Sequence, residues 1–118
     1  MEANIPELIY KVTSQTEWDT AQSVGVFAGA PIDFQDGYIH FSTEKQVRET
    51  VEKHFQGQVE LLLLSVEIGR LGTEIKWEES RGGQLFPHLY APLAIEAVVE
   101  VTELPIGKDG RFIFPEKF

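Results

Sequence analysis

Residues 59–68 hold four consecutive leucines, Leu61 to Leu64, followed by Val66 and Ile68. Nothing else in the chain restricts the fold as much. An apolar run of this length between Gly57 and Gly69 reads as a strand covered on both faces. It is also far short of the ~18 apolar residues that a membrane helix needs, and no other window reaches that length.

The other expected elements arrange themselves before and after this strand. Leu8 to Thr13 is β-branched and aromatic and reads as a first strand, with Lys11 on the face opposite Tyr10 and Val12. Ser14-Gln15-Thr16-Glu17 fits a capping box and opens a helix whose Trp18, Ala21 and Val24 share a stripe toward the core, with Gly25 as its stop. Residues 26–35 read as a loop punctuated by Gly29 and Pro31, whose Phe27, Ile32 and Phe34 should pack down as a lid or wall. Asp36-Gly37 is a turn signal. The strand after it puts Tyr38, His40 and Ser42 on one face and Ile39 and Phe41 on the other. Thr43 to Gln46 fits a second capping box, opening a helix with Val47, Val51 and Phe55 buried. Thr73 to Glu78 alternates as a half-exposed strand. Residues 79–84 form a polar loop, and Leu85 to Pro92 is a compact apolar segment. Ala97 to Leu104 is a further strand, and Arg111 to Phe114 returns after the Gly107–Gly110 turn. Short late connections favour antiparallel pairing. The expected class is α+β, with two helices packed on a bent or split, mainly antiparallel sheet. Residues 1–118 read as one domain.

Composition removes several function classes. There is no cysteine, so a thiol nucleophile, a cysteine zinc site and a disulfide are excluded. A net charge of −9 argues against a broad nucleic-acid surface, which needs clustered basic residues. The N-terminal residues lack the pattern of a secretory signal, and the reading is a cytoplasmic protein without a membrane segment.

The polar strand face is the first candidate site. His40 offers a donor and an acceptor near neutral pH, and Tyr38 and Ser42 add hydroxyls, although a solvated strand face would look the same. Glu78 with Ser80-Arg81-Gly82-Gly83 is the second. Arg81 can clamp an anion and paired glycines let amides approach it, although an ordinary solvated loop fits as well. His88 lies between apolar neighbours beside the rigid Pro87, where a hydrogen-bonded core histidine is the plainer reading. His54 is most simply a partner of its helix C-terminus. His40, His88 and Glu78 are a set that zinc accepts, but their spacing matches no local ligand motif and no metal site is assigned. The P-loop, the dinucleotide glycine fingerprint and the serine-hydrolase elbow are all absent.

Ile9-Tyr10-Lys11, Trp18, Asp36 to Ser42, Gln46, Trp77-Glu78, Ser80 to Gly83 and Phe86 to Tyr90 together resemble the small bacterial domain-of-unknown-function 952 family. The resemblance runs along nearly the whole chain. It implies a fold like that of the ADP-ribosyltransferases and RNA 2′-phosphotransferases, which bind NAD or ADP-ribose groups in the cleft of a split sheet. On that resemblance the ligand is a small nucleotide, with NAD as a substrate and no cofactor required. His40 and Ser42 would contact its ribose or phosphate, and Lys11 and Arg81 would neutralise phosphate. Tyr38 or Tyr90 would stack on a base, and Glu78 would stabilise a cationic ribosyl centre, with His88 as a further catalytic candidate. Lys11 stands where many transferases carry a His followed by Gly. A catalytically inactive ligand-binding or protein-interaction module is therefore the alternative.

Overall fold

The leucine run is β4, Leu61–Glu67, and six of its seven residues are buried. The computed structural model describes residues 7–116 and 118, apart from the Arg81 side chain. β4 is the middle strand of a sheet, between β1 (Leu8–Ser14) and β8 (Val98–Leu104), with both pairings antiparallel. Successive side chains enter two different cores. Leu62, Leu64 and Val66 join Ile9, Trp18, Ala21 and Phe27 on one face. Leu61 and Leu63 join Tyr10, Val12, Val47 and Val51 on the other. Both faces of the strand are covered, as its composition requires.

A second sheet has the order β3 (Ile39–His40), β6 (Leu85–Leu89), β5 (Ile75–Glu79), again antiparallel. A short pair, β2 (Val26–Phe27) with β7 (Leu93–Ala94), stands apart. The sheet is thus split, in agreement with the sequence. The two halves meet where Ser42 and Tyr10 form an isolated bridge. None of the described helices is long and apolar enough to cross a membrane.

The helices show where the sequence reading falls short. α1 (Gln15–Val24) has the expected capping box, with Ser14 Oγ accepting from the Glu17 amide at 3.1 Å, and ends at left-handed Gly25. Val24, however, is 70% exposed and off the buried stripe. A second helix, α2 (Pro31–Asp36), occupies the segment read as loop, so three α-helices rather than two are found among the described residues. Pro31 opens it and Gly37, at φ 89°, closes it. Its buried residue is Asp33, while Ile32 and Phe34 face outward at 49% and 66% exposure. α3 (Val47–His54) begins after Gln46, later than the expected start at Thr43. The capping box is half made: the Thr43 amide donates to the Gln46 side chain at 3.0 Å.

β6 falls in the segment read only as compact and apolar. Proline disfavours the middle of a sheet because it has no N–H. Here Phe41 N–H donates to the Pro87 carbonyl at 3.0 Å, and Pro87 cannot return the bond. That is why β3 leaves β6 after His40. The expected return strand at residues 111–114 reduces to one bridge, Ile106 with Phe112.

Candidate functional site

The β3–β6–β5 sheet gathers an aromatic and acidic cluster around Tyr38. β3 and β6 run antiparallel with His40 directly opposite His88, and their rings are 5.6 Å apart, nearly perpendicular. The Tyr38 ring stacks on His88 at 4.1 Å and lies 4.6 Å from His40 and 5.1 Å from Tyr90. Tyr38, His40, His88 and Tyr90 therefore border one site. Alternation along the strand placed Tyr38 and His40 together, and sheet pairing brings the other two.

His40 and His88 are each engaged by carboxylate oxygens. His88, only 2% exposed, has Nδ1 2.7 Å from Glu78 Oε1. Tyr90 OH donates to the same oxygen at 2.7 Å. Donation from Tyr90 and then His88 holds the Glu78 carboxyl below the ordinary carboxylate range. Conversely, the ionised Glu78 pushes the Tyr90 phenol up to about 12. Glu78→Gln is expected to return that phenol toward its ordinary 10.0, read from phenolate absorbance in an alkaline titration. A phenol still ionising near 12 in the variant would mean that Glu78 is not the cause.

His40 lies between two acids that the sequence reading missed. Its Nδ1 is 2.6 Å from Asp33 and its Nε2 is 2.8 Å from Asp36. Each ring nitrogen thus has its own carboxylate partner. Asp33 also accepts from the His40 backbone N–H at 3.1 Å and from Ala30 N–H at 2.8 Å, and pairs with Lys11 at 2.8 Å. Burial by itself favours the protonated carboxyl, but donation from His40 and the Lys11 ammonium outweigh it and hold Asp33 at about 2. Burial likewise pushes the Lys11 ammonium down, against the pull of Asp33.

Two side chains expected at a ligand are placed elsewhere. Lys11 is 4% exposed with its ammonium on Asp33, so it neutralises that buried acid beside His40. Ser42 is buried because its strand has already crossed to β1, and its hydroxyl is 2.9 Å from that of Thr50. The Arg81 side chain lies outside the described residues. The backbone of Arg81–Gly83 is a tight turn between β5 and β6, and Gly83 N–H donates to Ser80 within it. Gln46 ties α3 to this hairpin by donating to Leu85 O at 2.9 Å. Lys76 sits on the rim, its ammonium 5.2 Å from the centre of the Tyr90 ring. Among the described residues no three acids or histidines are gathered to hold a metal ion.

Asp33 carried one usable signal in the sequence. It is the third residue after Ala30 in a segment opened by proline, where an acid caps a helix.

Comparison with known proteins agrees along most of the chain. The family model described as "Protein of unknown function (DUF952)" matches residues 12–101. The crystal structure of protein CC0527 from Caulobacter crescentus superimposes with a TM-score of 0.86 at 47% identity, covering 90% of this chain and 93% of that one. The solution structure of the same protein gives 0.79 at 47% identity, covering 90% and 91%. No curated protein matches.

Proposed function

This chain belongs to the DUF952 family, and we propose that its Tyr38–His88 cleft binds a nucleotide-like ligand of the NAD or ADP-ribose kind. The observation that carries this reading is the Glu78 carboxylate. It is held ionised between His88 and Tyr90, beside a wall of stacked rings. Such a wall accepts a planar base, and a carboxylate next to it suits ribose hydroxyls or a developing ribosyl cation. The split antiparallel sheet supports kinship with the ADP-ribosylation fold. Transfer of an ADP-ribosyl or 2′-phosphate group is the chemistry that such a cleft would serve. In ADP-ribosyl transfer the bond from nicotinamide to ribose breaks, nicotinamide leaves with the bonding electrons, and the cationic ribosyl carbon beside Glu78 takes an acceptor.

One arrangement favours binding without turnover. Both His40 ring nitrogens are engaged by carboxylates, and the Lys11 ammonium is turned inward to Asp33. Neither group is then free to neutralise a phosphate.

Thermal melts with NAD, ADP-ribose and a 2′-phosphorylated nucleotide test the proposal. Ligand at about a hundred times its dissociation constant is expected to stabilise the protein by ~2.7 kcal/mol, and Tyr38→Ala should abolish the shift. Nicotinamide release from NAD, lost in His40→Ala, identifies an enzyme. Stabilisation without release identifies the binding module. No shift with any of the three at millimolar concentration overturns the proposal and leaves a protein-interaction module.

A further inference from the structure

A cavity of about 430 Å³ lies away from the Tyr38 cleft, between α3 and the segment after β8. Its lining includes the apolar Val51, Phe112 and Phe114, two guanidinium groups, Arg48 and Arg111, and one acid, Glu52. Val51 is fully buried, so the floor is part of the second core. The volume lies within the range of small-molecule sites, and polar groups make up more of its lining than apolar ones. Two arginines around one cavity are a local excess of positive charge in a chain of net charge −9.

The chain shows what this chemistry accepts. Arg48 donates through Nε to the Phe118 carbonyl oxygen at 2.9 Å and lies over the Phe114 ring at 4.8 Å. Phe118 itself packs edge-on against Tyr10 at 4.9 Å. A guanidinium that already holds an oxygen acceptor carried by an aromatic residue is suited to hold a carboxylate carried by an aromatic body. The second guanidinium makes a charged oxygen preferable to a neutral one, because hydrogen bonds to ionised acceptors are roughly twice as strong.

We infer that this cavity is a binding site for a small organic monocarboxylate with an aromatic body. The body sits on Phe112 and Phe114, and the carboxylate faces Arg111 and the Arg48 nitrogens not bonded to Phe118. Glu52 opposes the anion and limits its affinity. The site is independent of the Tyr38 cleft.

The test uses 3-phenylpropionate as probe, with 3-phenylpropanol as a body of the same shape without the charge, followed by amide chemical shifts on the full chain. Saturable shifts from the acid at residues 48–52 and 110–114 are expected, with binding of the alcohol about tenfold weaker or more, as loss of a charge-assisted pair predicts. Arg111→Gln should weaken the acid severalfold and leave the alcohol unchanged. Arg111 is exposed, so the fold is retained. Glu52→Gln should strengthen the acid. Equal binding of acid and alcohol, or no saturable shift with the acid at millimolar concentration, overturns the inference. Shifts confined to residues 38–40 and 88–90 also overturn it, because they would place the probe in the other cleft.

Discussion

Asp33→Asn is expected to destabilise the protein by about 3–5 kcal/mol, the usual loss when one partner of a buried ion pair is removed. The Asp33 side chain is 1% exposed and that of Lys11 is 5% exposed. The variant therefore leaves a buried ammonium without its counter-charge. It also weakens the acceptor shared by the His40 ring, the His40 backbone and the Ala30 backbone. The measurement is the midpoint of a urea melt at neutral pH with its slope unchanged. A loss below about 1 kcal/mol would mean that the pair is not structural.

The same group sets an acid limit. Its carboxyl falls from 3.8 to about 2 on folding. A depressed carboxyl stabilises the fold above the unfolded value, and that stability is lost as pH falls through the folded value. Asp33 should therefore contribute about 2 kcal/mol above pH ~4, lost toward pH ~2. Asp33→Asn should flatten that part of the profile. An unchanged slope of stability between those pH values would remove Asp33 as the cause.

The second large effect is in the leucine strand. Leu64→Ala and Leu63→Ala should each cost about 2–5 kcal/mol, because neither site can collapse around the lost atoms without disturbing a packed layer. Leu64 is 0% exposed in one core and Leu63 is 1% exposed in the other. Against a whole-domain stability of roughly 5–15 kcal/mol, either loss is large. A cost under about half a kilocalorie for one residue would show that its face is not truly closed.

These two predictions differ in how visible they were in the sequence. The leucine run announces its burial by composition alone, and Ser14-Gln15-Thr16-Glu17 announces its helix by side-chain chemistry. Both signals are local. Asp33 was hidden because six residues are too few for a helical period to show, and because Gly29 and Pro31 read as loop punctuation. Its apolar neighbours also suggested the wrong buried face. Lys11 was placed correctly opposite Tyr10 and Val12, but both faces of β1 are covered, so that direction leads to Asp33 and not to solvent. Pro87 concealed β6, and with it the strand that carries His88. The rule against proline inside a sheet holds only while the neighbouring strand continues, and β3 stops there. The site is assembled by pairings between residues up to about fifty positions apart, which no local pattern records.

The stretch from Tyr38 to Ser42 belongs to both halves of the split sheet. His40 is matched to His88 in one half. Two residues later Ser42 exchanges both backbone hydrogen bonds with Tyr10 in the other, at 2.8 and 2.9 Å. Phe41 lies between the two pairings, its N–H on the Pro87 carbonyl and its side chain buried. This backbone acts as a short tie rod. If the halves swing apart, the displacement is concentrated at one packed residue instead of being spread along a loop. Because Tyr38, His40 and His88 all stand on the same half, any such swing carries the ring cluster as one unit.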